Sequence, residues 1–248
     1  MRLKPALLLL ACLPLPLLAD SARPGEEGAD PAGEHWTYKL TPSWYSTTNT
    51  RGAYDLNLRA NYGSHAVWIG DYRRGKEFEQ ARTGYEYTAE LPFGKIVPSL
   101  TAATHGYAGL AVNAEVGEQV YGLLGFGRTN LKDYYNLTFD PNDSVVFGFG
   151  TRLLPASNLS LYRVQDDRLH TGQKVTHLVW RFWPADRQRL TVDAFARRGR
   201  PSADEEMLTG GGVSVTYDYA DVFVRVARDS KVNFTPETMN RLSVGVRF

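Results

Sequence analysis

The last eight residues of the chain alternate between apolar and polar side chains, and this pattern limits what the chain can fold into. Leu242, Val244, Val246 and Phe248 share one parity, so a period of two places them on one face of a β-strand. The other face carries Arg241, Ser243, Gly245 and Arg247. Two arginines on that face do not suit a dry core, because buried charges need partners. We therefore expect a strand that is apolar outside and wet inside.

The same alternation recurs from Trp36 to the end of the chain. It is clearest at residues 54–62, where the polar parity is Asp55, Asn57, Arg59 and Asn61. Further alternating segments occur at 36–44, 176–182, 190–197, 213–219 and 222–227. Aromatic residues assigned to the apolar parity stand near the expected strand ends, as in an interfacial girdle. They are Trp36, Trp44, Tyr54, Tyr62, Trp68, Tyr72, Tyr217 and Phe248.

The lengths of the connections between these segments form a second pattern. Short turns are expected at 63–64, 92–95, 117–118, 155–158, 184–188 and 219–221. Longer connections are expected at 48–52, 74–80, 129–142, 166–172, 198–209 and 230–239, and the pair His105-Gly106 is short where a long loop belongs. Alternating short turns and long loops are typical of an up-and-down barrel that crosses a membrane.

These features together resemble the bacterial outer-membrane β-barrel superfamily over residues 36–248. The resemblance implies an all-β, antiparallel transmembrane barrel of fourteen strands with both termini in the periplasm. Twelve strands is the alternative, because residues 95–128 are rich in Gly and Ala and alternate weakly. A soluble lipocalin-like barrel or sandwich is the competing interpretation, and it requires the apolar parity to face inward.

The resemblance also implies how the chain reaches its membrane. A terminal strand ending in Phe, here with Leu242, Val244 and Val246 on the same face as Phe248, is similar to the signal that the barrel-assembly machinery reads in that superfamily. The resemblance thus gives that machinery, outer-membrane lipid and lipopolysaccharide as expected partners.

The N-terminus indicates export from the cytoplasm, and the resemblance implies the outer membrane of a Gram-negative bacterium as the destination. Arg2 and Lys4 precede an apolar run that meets Asp20, which is typical of a signal peptide at residues 1–19. Residues 20–34 are charged and rich in Gly and Pro, so we expect a flexible periplasmic leader before a barrel at 35–248. The single cysteine, Cys12, lies in the signal segment, which excludes disulfides and thiolate metal sites from the mature chain. Without Arg2 and Lys4 the chain has 26 basic and 27 acidic residues, which does not suggest a nucleic-acid partner.

Charged residues of the polar parity are expected to face the lumen. Those singled out as pore-lining candidates are Arg59, Glu86, Arg181, Asp193, Arg197, Asp218, Arg225, Arg241 and Arg247. The same parity also takes in Asp55, Asp71, Arg73, Glu90 and Glu115. Such a lumen can be a polar channel that filters solutes or a ladder of ion pairs that plugs a narrow barrel. The arginine excess in the last third favours small anionic solutes, because guanidinium groups suit carboxylates and phosphates.

The leading functional hypothesis is a porin-like channel for small polar solutes, with no cofactor. The longest loop, 129–142, is short for the inward-folded constriction loop of larger porins. The alternatives are a non-conducting barrel and an enzyme that modifies lipid or lipopolysaccharide. The enzyme hypothesis would rely on His105, with Thr101 and Thr104, or on His170, with Asp166 and Asp167, but no Gly-x-Ser-x-Gly motif occurs.

The segment Asn136 to Asp143 contains oxygen-bearing side chains that invite comparison with a calcium site. Asp140, Asn142 and Asp143 are close in sequence, but the spaced acidic pattern and final Glu of a calcium-binding hand are missing. The sequence Asp-Pro-Asn-Asp is more typical of a turn. We therefore predict a turn and no metal site here.

Overall fold

The structure is a computed structural model that describes residues 35–248. The predicted signal peptide and leader, residues 1–34, lie outside the described residues. Within the described part of the chain, no helix is both long and apolar enough to cross a membrane.

Fifteen β-segments of 3 to 12 residues account for most of the described chain. In chain order they are β1 Thr37–Thr47, β2 Ala53–Tyr62, β3 His65–Arg74, β4 Phe78–Tyr87, β5 Ala89–Leu91, β6 Gly94–Ala103, β7 Tyr107–Gly117, β8 Val120–Thr129, β9 Ser144–Thr151, β10 Ser157–Asp166, β11 Lys174–Phe182, β12 Gln188–Gly199, β13 Leu208–Tyr219, β14 Val222–Ser230 and β15 Thr238–Arg247. Short 3₁₀ turns at Thr104–Gly106 and Val232–Phe234 lie in two of the connections.

The segments form one closed antiparallel barrel of fourteen strands. β4 and β5 are two parts of a single strand interrupted at Thr88, since both pair with β6. Each remaining strand pairs with its neighbours in sequence, and β1 pairs with β15 through Lys39–Arg247 and Trp44–Leu242. The predicted fourteen-strand barrel is therefore confirmed, and the weakly alternating region 95–128 contains the regular hairpin of β7 and β8. Closure removes every free sheet edge.

The two ends of the barrel differ in the length of their connections. The end that also holds Thr37 and Phe248 has turns at 63–64, 92–93, 118–119, 152–156, 183–187 and 220–221, and we call it the turn end. The other end has loops at 48–52, 75–77, 104–106, 130–143, 167–173, 200–207 and 231–237, and we call it the loop end. The four longest connections, at 130–143, 167–173, 200–207 and 231–237, all lie at the loop end, as the alternation predicts. The predicted 74–80 loop is shorter than expected: like 104–106 it has three residues, fewer than the five-residue turns at 152–156 and 183–187.

The two faces of the wall differ as strongly. Exposed side chains on the outer face include Leu56, Ile69, Leu100, Phe149 and Val226, each about half exposed or more. Of the eight predicted girdle residues, six are exposed on that face, including Trp36, Trp44 and Phe248. The apolar parity therefore points away from the barrel axis, which is the reverse of a lipocalin-like barrel.

Strand β3 is the exception to the predicted facing. Trp68 and Tyr72 were expected in the outer girdle, but they are 7% and 1% exposed and face the lumen, whereas Asp71 and Arg73 face outward. Both parities of β3 carry aromatic or apolar residues, so alternation alone cannot orient the strand. The pairing decides: Trp68 lies opposite Gly84 of β4, and a Cβ added at Gly84 would lie 2.4 Å from the indole ring. The missing side chain at Gly84 makes room for the inward tryptophan.

Candidate functional site in the barrel lumen

The nine charged pore-lining candidates all lie on the inward parity of their strands. Arg197, Asp218, Arg181 and Glu86 are 2% to 8% exposed. Arg59, Asp193, Arg225, Arg241 and Arg247 are half-buried. Asp55 and Glu115 also point inward and are buried, whereas Glu90 lies exposed near the turn end. The expected polar lumen is present in the structure, apart from Glu90 and the two β3 residues described above.

Many luminal charges form ion pairs with one another along the inner face of the wall. Arg82 Nη2 lies 2.7 Å from Asp55 Oδ1, and Arg59 Nη2 lies 2.6 Å from Glu86 Oε2. On the opposite side, Arg197 Nη2 lies 3.0 Å from Asp229 Oδ1. These pairs hold their guanidinium groups against the wall, because charge-assisted hydrogen bonds are strong where water is excluded. The ladder of ion pairs expected as an alternative to a channel is therefore part of the lumen.

The most unexpected element of the lumen is the loop at 130–143, which folds inward. Tyr134, Tyr135 and Phe139 are 1% to 5% exposed, and Asp140 is 3% exposed. The loop is short for the inward-folded loop of larger porins, yet it does enter the lumen. Fourteen residues suffice because the loop starts at the wall and crosses toward β3, β4 and β15 without a helix of its own. We call residues 130–143 the inward loop.

Gln80 of β4 fixes the middle of the inward loop to the wall. Its Oε1 accepts the Tyr135 backbone N–H at 2.8 Å, and its Nε2 donates to the Tyr135 carbonyl at 3.0 Å. The Tyr135 ring stacks on Tyr72 with centroids 4.9 Å apart, and Tyr134 stacks on Tyr107 at 4.2 Å. One glutamine thus satisfies both backbone groups of a buried loop residue, which the loop cannot do internally.

His177 of β11 forms a second attachment. Its Nδ1 lies 3.1 Å from both carboxylate oxygens of Asp193, and its Nε2 lies 3.1 Å from Asp140 Oδ1 of the inward loop. The ring stacks on Tyr162 with centroids 4.8 Å apart. Because each nitrogen faces a carboxylate, both contacts are donated only by a ring that carries both protons. We call the set Asp193–His177–Asp140 the histidine latch.

An aromatic cluster packs around the inward loop near the loop end. It comprises Tyr45, Ala53, Tyr72, Tyr135, Phe139, Val232 and Met239, with Phe78 and Leu137 against it. Val232 belongs to a second inward-turned connection, 231–237, in which Phe234 is also buried. Burial raises the pKa of Tyr135 well above its ordinary value, and the nearby Tyr72 adds to the rise, so the phenol is neutral. The loop end of the lumen is therefore filled by packed rings.

A cavity of about 880 Å³ lies on the other side of the inward loop, toward the turn end. Tyr134, Asn136, Leu137 and Thr138 form one boundary of it. Its other boundaries are strand residues and turns at the turn end, and none of the remaining connections at the loop end contributes to it. Three carboxylates line the cavity, those of Glu86, Asp218 and Asp221. Against them stand seven lysine and arginine side chains: Lys39, Arg59, Arg82, Arg181, Arg189, Arg225 and Arg247. The cavity is accordingly cationic.

The segment that invited a calcium interpretation has other partners. Asp140 contacts His177, whereas Asp143 accepts from Thr129 Oγ1 at 2.6 Å and from Arg168 Nη1 at 2.8 Å. Asn136 Oδ1 accepts the Thr138 N–H at 2.8 Å, which is an Asx turn. The acidic side chains of this segment thus fix the loop to the wall, a role that the turn prediction did not include.

The barrel was compared with solved structures. Omp33 from Acinetobacter baumannii superposes with a TM-score of 0.57 at 11% identity, covering 87% of this chain and 100% of that one. The chain therefore shares the β-barrel fold of that outer-membrane protein. A mutant porin from Rh. blastica gives a TM-score of 0.49 at 9% identity, covering 86% of this chain and 100% of that one. The KdgM porin gives 0.48 at 7% identity, covering 85% and 99%.

Sequence comparison adds no closer relative to this picture. No protein-family model matches the chain, and no curated protein matches it. At identities near 10% the structural similarity shows the fold alone.

The histidines on which an enzyme would rely are not built into a site. His105 and His170 are exposed in loop-end connections. The Asp166 carboxylate accepts from Thr171 Oγ1 at 2.6 Å and from the backbone N–H groups of Arg168, Leu169 and Thr171. Those four contacts fold the 167–173 loop and occupy the acid that a catalytic His170 would need.

Proposed function

We propose that this chain forms an outer-membrane channel for small polar solutes, with a preference for anions and a constriction built from the inward loop. The observation that carries the proposal is the cationic cavity below that loop, since a fixed excess of positive charge in a narrow polar lumen favours anions. The inward loop supplies the narrow section that a selective channel requires.

Planar-bilayer recording tests both parts of the proposal. Purified, folded protein should give discrete conductance steps, and a KCl gradient should give a reversal potential of the sign for chloride preference. Liposome swelling is a simpler measurement of the same preference. It should show that a small organic anion enters faster than a neutral solute of equal size. Folded protein that gives no conductance, checked by its heat-modifiable mobility, would falsify the channel.

A non-conducting barrel is the second candidate, and the packed loop end favours it. The aromatic cluster and the histidine latch leave the cavity bounded by the inward loop on that side. The two candidates differ in whether the inward loop moves, so the same recordings separate them: a channel opens spontaneously or under voltage, whereas a plugged barrel stays silent.

We further propose that the turn end faces the periplasm and the loop end the outside. Support comes from the short turns beside both ends of the described chain, the usual arrangement in such barrels. Cys12 is the sole cysteine, so single-cysteine variants can be read cleanly. An impermeant maleimide on intact cells should label Lys76→Cys in the 75–77 loop but not Ser64→Cys in the 63–64 turn, and the opposite result would reverse the orientation.

The outer face supports the proposed contacts with lipid, lipopolysaccharide and the assembly machinery. Leu242, Val244, Val246 and Phe248 are all exposed on that face, and Phe248 stacks on Tyr38 with centroids 5.7 Å apart. Deleting Phe248 removes the terminal aromatic and should leave the protein in the periplasm. Normal insertion of the shortened chain, seen by membrane fractionation, would argue against the assembly signal.

A further inference from the structure

Three cations lie side by side on the inner wall at the turn end. The register pairs Lys39 of β1 with Arg59 of β2 and with Arg247 of β15, and all three side chains face the lumen. Residues directly opposite on one face have Cβ atoms about 5 Å apart, and like charges in that relation destabilise a sheet. A wall that keeps this row carries a local electrostatic cost in the empty protein, which a bound anion would relieve.

The nearby carboxylates neutralise only the two outer cations of the row. Glu86 pairs with Arg59 at 2.6 Å, and Asp218 pairs with Arg247. Within the part of the chain that the structure describes, Lys39 forms no ion pair at all. The central ammonium of the row is thus the group left for a ligand.

Arg225 supplies a second cation of the same kind. Its Nε donates to Thr216 Oγ1 at 2.9 Å, a neutral partner that fixes the guanidinium group but does not neutralise it. Among residues 35–248 it has no carboxylate partner. Arg225 lines the same cavity as Lys39. A fixed guanidinium beside an ammonium suits a carboxylate or phosphate group.

The rest of the cavity indicates what else the ligand carries. Thr37, Asn57, Asn61 and Thr191 line it with neutral donors and acceptors, and the Trp68 ring contributes flat apolar surface. The Phe223 ring also lines the cavity, with Arg247 Cζ 5.3 Å and Lys39 Nζ 6.0 Å from its centroid. About 880 Å³ is within the size range of small-molecule sites. Hydroxyl groups match the neutral polar lining, and a ring matches the aromatic surface.

We propose that Lys39 and Arg225, flanked by Arg59 and Arg247, form a binding site for a small polyhydroxylated organic anion, such as a sugar acid or a sugar phosphate. This inference rests on the proposed function, because it treats the cavity as a binding site within the channel through which the solute passes. It goes further by naming one site and one ligand chemistry, and it makes binding measurable without any current.

Equilibrium titration of the full-length folded protein in detergent tests the site. The probes are glucuronate, glucose 6-phosphate, inorganic phosphate and neutral glucose at equal ionic strength. At least one charged sugar should bind saturably and more tightly than inorganic phosphate, and glucose should not bind at the same concentration. If glucuronate binds more tightly than glucose 6-phosphate, the site prefers a carboxylate. The reverse order shows that it prefers a phosphate. Equal binding of glucose, or equal binding of inorganic phosphate, overturns the proposal.

Substitutions assign the binding to the named residues. Lys39→Gln and Arg225→Gln should each weaken the bound sugar anion by about tenfold or more, since each removes a charge-assisted hydrogen bond. The matched controls, Lys76→Gln and Arg198→Gln, change the same residue types at exposed positions and should leave the affinity unchanged. Unchanged affinity in both cavity variants overturns the site.

The melting temperature of each variant shows whether a loss of binding comes from the missing charge or from a destabilised barrel. Because Lys39→Gln removes like-charge repulsion, the ligand-free variant should melt at the same temperature as the parent or higher, and a lower melting temperature contradicts the repulsive row. A barrel that conducts but binds none of the charged sugars refutes the site and leaves the channel. Binding without conductance refutes the channel and leaves the site.

Discussion

The two ends of the lumen are built from the same fourteen strands, but one end is filled by side chains and the other is lined by charges. At the loop end, the inward loop and the 231–237 connection fill the space with rings, and Gln80 and His177 hold them in place. At the turn end, the wall carries a row of cations around a cavity of about 880 Å³. Packing at one end is dense and specific, whereas charge at the other end is only partly compensated. In the proposed channel, access is therefore controlled at the loop end and solutes are recognised at the turn end.

Shortening the inward loop should have the largest effect on this comparison. Replacing residues 132–140 with a two-residue Gly-Ser linker removes the rings and the Asp140 contact, so single-channel conductance should rise at least about twofold. The control is a similar shortening of the exposed 200–207 loop, which should leave conductance unchanged. An unchanged conductance after the first deletion would show that the narrowest section lies elsewhere.

The histidine latch gives the next largest effect. His177→Gln leaves the buried carboxylate of Asp140 or Asp193 without a donor, and breaking one partner of a buried pair costs roughly 3–5 kcal/mol. We expect a matching loss in the free energy of unfolding, measured by urea titration, together with a higher open probability. His65→Gln is the control, because His65 lies at the start of β3, with its Nδ1 2.8 Å from Tyr85 Oη, and is not part of the latch.

A double-mutant cycle shows whether the latch acts through the loop. Asp140→Asn alone should reproduce part of the loss, and the double variant with His177→Gln should lose less than the sum, with a coupling of about 0.5–3 kcal/mol. Strict additivity would mean that His177 stabilises the barrel wall without holding the inward loop.

Gln80 gives a smaller effect of the same kind. Gln80→Ala leaves the buried N–H and C=O of Tyr135 without partners, at roughly 1–3 kcal/mol for each group unless water enters. We expect a loss of unfolding free energy on the order of 2–3 kcal/mol and more frequent opening. Gln165→Ala, in a half-buried position on β10, provides the comparison; an equal loss there would remove the special role of Gln80.

The barrel itself was predictable because its determinants are local. Alternation with a period of two and the spacing of turn residues depend on neighbouring positions, so fourteen strands and their connections follow from the sequence. The facing of β3 does not follow, since both of its parities are apolar or aromatic. Only the cross-strand neighbour Gly84 makes clear why Trp68 turns inward.

The inward loop was not predictable for a different reason. Its partners Gln80 and His177 lie 55 and 37 residues away from the loop residues they bind, and no local pattern marks them. One signal was nevertheless present: Tyr134, Tyr135 and Phe139 stand within one connection, which is an unusual load of rings for a water-exposed loop. The cationic row at Lys39 depends likewise on the register between strands at opposite ends of the chain.

The smallest expected change concerns the turn end, where charge affects the selectivity between anions and cations but does not alter the constriction. Lys39→Glu reverses the central charge of the row, so the chloride-to-potassium permeability ratio, obtained from reversal potentials, should fall by roughly two- to fivefold. Conductance in symmetric salt should change little, because the inward loop is untouched. The same reversal at the exposed loop residue Lys76 should leave the ratio unchanged, since exposed charges more than about 10 Å from the path are screened at 0.1 M salt. A large change of conductance with Lys39→Glu would place the constriction at the turn end and contradict the division between the two ends; an unchanged ratio would mean that anions pass without contacting the row.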